Sequence, residues 1–369
     1  MANDKGLHSD LAVPPGEYLE EVIGGLGMTK DELARRMGRP ATKLSPIFKG
    51  AKVITPDTAM QLEKVVGVPA NIWLGLESEY RLALARKAEK DRLAEESRLL
   101  TPFCYGKLAE LGFVKSASNR RDKVRELQRF FGVASLSSVL EVRRYQAAFR
   151  VGKAGTPPSK PHATASWLRM GELRARATAC EPFERSRLEE VLERIRTMTL
   201  QTPDEFQIPL VALLAESGVA LAIVPHFPGT KAHGATFWLT RDKAVLMLTI
   251  RGRWADIFWF SLFHELGHIL LHGRRDVFIE DGFASPEKEE QEESADAFAA
   301  EQLLPPSAYR RFVNGGNFYP DAVATFARRI GIDAGIVVGR LQHDGFLRPE
   351  WGNRLRTRYT WTEEPKGDA

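Results

Sequence analysis

The stretch FHELGHILLH at 263–272 places His264 and His268 four residues apart, with Glu265 beside the first. On a helix, residues i and i+4 share a face, so both imidazoles can aim at one ion. A carboxylate next to such a pair can accept a proton from an attacking water, which is the chemistry of metal-assisted hydrolysis. The competing reading is two histidines packed on a helix face. It weakens only where a third ligand is at hand.

A zinc centre with an open position takes three protein ligands. EESADAFAAEQLLPP at 292–306 offers Glu292, with Asp296 one turn later on the same face. That pairing lets Glu292 bind the ion while Asp296 orients a ligand histidine through its other ring nitrogen. Glu293 competes, but its i+4 neighbour is Ala297. A histidine six residues after His268, the alternative third ligand, is excluded because Arg274 stands there. His272 lies ~12 Å along the helix axis from His264, too far for one ion, and is expected to support the ligands instead. For the oxyanion that peptide hydrolysis develops, His226, His233, Tyr309 and His343 are candidates that spacing does not separate.

The elements that would position these residues can be read from period and punctuation. Residues 254–272 and 290–304 read as helices, the second stopped by Pro305 and Pro306, with further helices at 318–330 and 333–345. Apolar runs at 217–224, 234–240 and 243–250 read as strands, the last two joined as a hairpin through 240–243. The strand at 243–250 leads into the HExxH helix, and its edge is expected to take up an extended peptide. Helices are expected at 164–179 and 182–198, after a Gly/Pro/Ser/Thr-rich exposed loop at 151–166.

Nearer the N-terminus, Thr29 with Glu32 forms a capping-box pattern opening a helix at 30–37 that Gly38 closes. A turn at 38–40 and a second helix at 41–48 follow, then Thr55-Pro56 starts a helix that Gly67 ends. This is the grammar of a helix-turn-helix. Thr42, Lys43 and Ser45 are candidates for base edges, and Arg39, Lys49 and Lys52 for phosphates. Pro46 sits within the second helix, where it removes a backbone donor.

Of 369 residues, 52 are Lys or Arg and 48 Asp or Glu, a net charge of +4 that indicates no partner by itself. The distribution says more. Seven cations between Lys30 and Lys52 face two carboxylates, whereas six carboxylates between Asp281 and Glu293 face only Lys288. Two cysteines build neither a disulfide framework nor a metal cluster. No apolar run approaches ~20 residues, and MANDKGLHSDLAVPP lacks the pattern of a secretion signal, so the expectation is cytoplasmic with no membrane. The expected fold is mostly α: an all-α helix-turn-helix domain at 1–75, a helical linker region at 76–163, an α+β domain at 164–350 and a C-terminal tail at 351–369.

HELGHILLH followed by ADAFAAEQLLPP resembles the ImmA/IrrE family of gluzincin-like metallopeptidases over about residues 200–345. The resemblance implies His264 and His268 as ligands, Glu265 as general base, Glu292 as third ligand, and GIDAGIVVGRLQ (331–342) as the family's closing helix pair. Residues 12–86 resemble the Xre/Cro-type domain of HigA-type antitoxins. Together the resemblances imply a transcriptional regulator that binds an operator in double-stranded DNA and carries a zinc endopeptidase domain, with Mn²⁺ as an alternative metal. Its substrate would be a helix-turn-helix repressor, an antitoxin or the chain itself, cut near 95–115 or within 151–166. The alternative is a non-catalytic antitoxin or repressor whose metal domain binds a toxin or senses a ligand. Helix-turn-helix proteins often dimerise on two-fold operators, so a homodimer is also an expectation.

Overall fold

The computed structural model describes residues 12–146, 160–249, 254–273, 277–280 and 289–359. The chain divides into two units, Met1–Glu95 and Glu96–Ala369. It is mostly helical with one small mixed sheet.

The first unit holds α1 (Pro15–Gly25), α2 (Lys30–Arg36), α3 (Ala41–Phe48), α4 (Pro56–Val66) and most of α5 (Ala70–Glu96). Leu19, Leu33, Leu44, Ile47, Leu62 and Trp73 make its core. Thr29 caps α2 by accepting the Glu32 amide at 3.2 Å. The Glu32 carboxylate turns instead to Arg35 and Arg36, at 2.9 and 2.7 Å. Thr55 caps α4 with Pro56 at its first position, and Gly67 ends it in the left-handed conformation. Gly16 lets α1 lie directly on α3: a Cβ there would stand 2.3 Å from the Phe48 backbone. Buried Glu77 of α5 accepts the Ile54 amide at 3.1 Å and pairs with Arg81, which reaches the Gly50 carbonyl. Those bonds fix the segment leaving α3.

The second unit begins with small helical pieces: α6 (Tyr105–Glu110), α7 (Arg120–Phe131) and α8 (Arg143–Gln146). Then come α9 (Pro161–Ala177), α10 (Arg185–Thr197) and α11 (Pro203–Glu216). The strands β1 (Val219–Val224), β2 (Gly234–Thr240) and β3 (Lys243–Thr249) lead into α12 (Ala255–Leu271), followed by β4 (Phe278–Glu280). Four helices close the unit: α13 (Glu289–Leu303), α14 (Pro306–Asn314), α15 (Pro320–Ile330) and α16 (Ala334–His343).

The sheet order is β1-β3-β2-β4, with β1 parallel and β2 antiparallel to β3. Leu246 and Leu248 of β3 join the core made with α12. Met247 points the other way, where Gly171 of α9 approaches so closely that a Cβ would overlap the Met247 side chain. A strand buried on both faces reads as a continuous apolar run rather than an alternating one. β3 is therefore central, paired on both sides, and the expected free edge at 243–250 is overturned. Among the described residues the sheet edges are β1 and β4.

One other expectation changes. Residues 161–166 are not loop but the first turns of α9, with Ala163 through Ser166 buried and Pro161 at the first helical position; residues 151–159 lie outside the described ones. Helix α11 carries Pro209 within it. The ring is exposed, while Phe206, Leu210, Leu213 and Leu214 face inward. As expected, α13 ends at Leu303 just ahead of Pro305 and Pro306, and Pro306 also starts α14. Near the C-terminus, Trp254 pairs with Arg358, and Tyr359 is buried with its hydroxyl accepting from Trp259 Nε1 at 2.7 Å. Among the described residues no helix is long and apolar enough to cross a membrane.

Candidate metal centre and nucleic-acid interface

Helix α12 is apolar on nearly all sides and lies between the sheet and α13, so His264, Glu265 and His268 are almost wholly buried. Such a position is unfavourable for polar groups unless each finds partners. His264 Nε2 and His268 Nε2 stand 3.0 Å apart, and Glu292 Oε2 of α13 lies 3.3 and 3.5 Å from them. One donor atom from each residue falls within 4.8 Å of the others. Glu293 is exposed. Gly267 permits the close packing of α13, since a Cβ there would meet the Ala295 backbone and the Phe298 ring at 3.2 Å.

The outer ring nitrogens are also occupied. His264 Nδ1 meets Asp296 Oδ1 at 2.8 Å. His268 Nδ1 meets His272 Nδ1 at 2.9 Å, and His272 Nε2 meets Ser294 Oγ at 3.0 Å. Ser294 donates to the Gln291 carbonyl. That last bond fixes the direction of the relay. Ser294 accepts from His272 Nε2–H, leaving His272 Nδ1 to accept from His268 Nδ1–H. The lone pair of His268 then sits on Nε2, the atom facing His264 and Glu292. A carboxylate on His264 Nδ1 favours the same tautomer there. The Phe278 ring stacks on His268 with centroids 4.1 Å apart and fixes its plane.

Burial pushes the His268 imidazole down to about 4, so it is neutral at neutral pH. Burial alone would raise Glu292, but its bonds to His264 and His268 prevail and hold it at about 2. A neutral His268 and the Glu292 carboxylate thus face one another with lone pairs, and Glu292 Oε1 is buried with no hydrogen-bond partner among the described residues. Mutually facing acceptors repel unless a cation lies between them. The N₂O donor set fits a divalent metal, zinc before harder ions.

Glu265 is fully buried and held by β2. Thr236 Oγ1 donates to its Oε2 at 2.5 Å. Beneath it lies Gly234, where a Cβ would stand 2.5 Å from Oε1 and 2.9 Å from Cγ. No motif in the sequence points to either residue. Positions 234 and 236 share a strand face, but nothing in an apolar run says which helix that face meets. Of the oxyanion candidates, His233, Tyr309 and His343 line a cavity of about 840 Å³ that Asp296 and Phe260 also border, and His226 does not. Tyr309 donates to Asp344 at 2.8 Å.

In the first unit, α3 exposes Thr42, Lys43 and Ser45 while burying Leu44, Ile47 and Phe48. Lys49 and Lys52 are exposed beyond its end. Pro46 lies within α3, so the Thr42 carbonyl lacks its i+4 donor, yet the helix continues to Phe48. Arg39 is placed differently. Its guanidinium bonds Gln61 at 2.6 Å, Thr58 at 3.0 Å and Asp57 at 2.5 Å, bracing the α2–α3 turn against α4.

Residues 256–342 match the Peptidase_M78 family, described as an IrrE N-terminal-like domain. The uncharacterized HTH-type transcriptional regulator YddM of Escherichia coli (strain K12) is 32% identical over 73 residues, which are 20% of this chain and 78% of that protein. Virulence-associated protein I of Dichelobacter nodosus is 31% identical over 88 residues, 24% of this chain and 82% of that protein. Among solved structures, an addiction module antidote protein of a HigA family from Coxiella burnetii is 33% identical. The match covers 23% of this chain and 92% of that one, with a TM-score of 0.22. The Pseudomonas aeruginosa antitoxin HigA, solved with the higBA promoter, is 29% identical with a TM-score of 0.21, covering 22% of this chain and 89% of its own. The chain therefore belongs with the HTH-type transcriptional regulators and carries, at its C-terminal end, a domain of the Peptidase_M78 (IrrE N-terminal-like) family.

Proposed function

We propose that this protein is a cytoplasmic transcriptional regulator that binds double-stranded DNA and hydrolyses a peptide bond in another regulatory protein. The observation that carries the hydrolytic part is the convergence of His264 Nε2, His268 Nε2 and Glu292 Oε2 beside a buried Glu265. These three residues would hold Zn²⁺, with Mn²⁺ the alternative. A bound divalent cation supplies Lewis acidity toward a carbonyl oxygen. Glu265, oriented by Thr236, accepts a proton from the attacking water and delivers it to the leaving amine. Of the groups lining the adjoining cavity, His233 would face a developing oxyanion, since Tyr309 gives its hydroxyl proton to Asp344.

The DNA-binding part rests on the regulator relatives and on α3, whose exposed Thr42, Lys43 and Ser45 would face base edges while Lys49 and Lys52 hold phosphates. Arg39 supports that surface by bracing α4. A separate protein is the favoured substrate over the 95–115 segment of this chain, because Phe103, Tyr105 and Leu108 are buried, and a scissile segment must be extended to lie along a cleft.

A proteome-derived peptide library, incubated with the zinc-loaded full chain and scored for new termini by mass spectrometry, tests the reading. Cleavage abolished by a chelator and restored by zinc is expected. A digest indistinguishable from the chelated control contradicts it.

A further inference from the structure

A second cavity, of about 520 Å³, shares no lining residue with the one beside the metal centre and is lined by Arg143, Arg144, Tyr145, Arg169, Glu172 and Trp238 among others. Its centre is Glu172, which is 2% exposed. Arg144, Arg169 and Arg176 approach that carboxylate at 2.5, 2.9 and 2.8 Å, and the Tyr145 hydroxyl donates to it at 3.0 Å. Arg176 is largely exposed and lies outside the cavity lining, so within it Glu172 faces Arg144 and Arg169 and one formal positive charge is left uncompensated. Arg143 is exposed and adds another, with no carboxylate at ion-pair distance among the described residues. A network built only to satisfy Glu172 needs one guanidinium. The surplus cations in a partly enclosed, low-dielectric space favour an anion.

The walls specify the anion further. Guanidiniums present paired donors that match phosphate oxygens, unlike the point charge of a lysine. Half-buried Trp238 offers an aromatic wall on the same cavity, and a planar ring packs favourably against such a surface. A volume near 500 Å³ is that of a small-molecule site rather than a lone-ion site. We propose that this pocket binds a small organic phosphate bearing a planar ring, a nucleotide in size, with its phosphate on Arg143 and Arg144 and its ring against Trp238. Binding does not depend on turnover at the metal centre. The two lie along the same strand: Arg144 stacks over the Phe237 ring and donates to the Trp238 carbonyl, and Thr236, next to Phe237, holds Glu265.

Titration calorimetry of the full chain with adenosine 5′-monophosphate, inorganic phosphate and adenosine tests the assignment. The nucleotide is expected to bind once per chain, at least ~10-fold tighter than phosphate alone, with no saturable heat from adenosine. A charge-assisted hydrogen bond is worth about tenfold or more, so Arg143→Glu should weaken nucleotide binding by at least that factor and Arg143→Gln by less. A Lys43→Glu, Lys49→Glu chain should bind unchanged, which separates this pocket from the basic face of α3. Absence of saturable nucleotide binding, equal affinity for phosphate or adenosine, or unchanged binding by Arg143→Glu would each overturn the proposal.

Discussion

Thr236 Oγ1 donates to Glu265 Oε2 at 2.5 Å, tying the acidic residue of the HExxH helix to a strand residue 29 positions earlier. The bond aims the Glu265 carboxylate and also accounts for its tolerance of complete burial. Thr236→Val keeps the side-chain shape but removes the donor. Bonds to charged groups are worth ~1.5–3 kcal/mol, so the variant should lose about 10- to 100-fold in peptidase kcat with zinc stoichiometry unchanged. Thr236→Ser should recover most of the rate. Loss of zinc in Thr236→Val, measured by elemental analysis, would show that the hydroxyl supports the ligands rather than the base.

Gly234→Ala places a methyl group 2.5 Å from Glu265 Oε1. The side chain cannot shift freely because Thr236 and α12 enclose it. Peptidase activity should fall by more than tenfold, with a stability loss of ~1–3 kcal/mol from overpacking. Denaturant unfolding and steady-state rates on the same preparation check both.

The outer partners of the histidines should be read out in metal affinity. Partners of this kind typically contribute 10- to 100-fold, so Asp296→Ala and His272→Ala should each weaken zinc by about that range in a competition assay with a chromophoric chelator. Ser294→Ala, one step further along the relay, should cost less. Equal affinity in all three variants would sink the tautomer argument.

Glu172 gives a pH signature. Burial would raise it, but Arg169 and Arg144 outweigh burial and hold it at about 2. A carboxyl whose folded value is depressed contributes stability in full above its unfolded value, ~4.3, and loses it as pH falls towards 2. Thermal melts of the second unit should therefore decline between about pH 4.5 and 2, over and above the loss from other carboxylates. Glu172→Gln should flatten that part of the profile. Breaking a buried pair by removing one partner costs ~3–5 kcal/mol, so the variant should also melt lower at pH 7.

On DNA, the two kinds of basic residue should separate. Lys49→Ala and Lys52→Ala should each reduce the salt dependence of DNA binding by about one counterion, with unchanged melting. Arg39→Ala removes the brace to Gln61, Thr58 and Asp57 and should lower the melting temperature of the first unit.

Local chemistry is what the sequence displayed best. Thr55-Pro56 and Gly67 bound α4 because capping and left-handed glycine are decided within a few residues. The i+4 geometry of His264 and His268 needs only one helix, and Asp296 follows from Glu292 on the next. What the sequence concealed is set by distant partners. The central position of β3 depends on β1 and β2 pairing to it from both sides, which a continuous apolar run such as AVLML cannot declare. Strand β4 is three residues long, too short for any period, yet it supplies the Phe278 ring against His268. The Glu172 cluster draws Arg144 from α8 and Arg169 and Arg176 from α9, and no spacing rule links those helices.

The central claim is that His264, His268 and Glu292 hold the catalytic ion and that Glu265 performs the proton transfer. Its most direct test is Glu265→Gln, measured for zinc content and for cleavage of the peptide library on one preparation. The account predicts one zinc per chain, as in the parent protein, with cleavage reduced by about 10²–10⁴-fold, the usual contribution of a general base. Cleavage at the parental rate with zinc bound would contradict it.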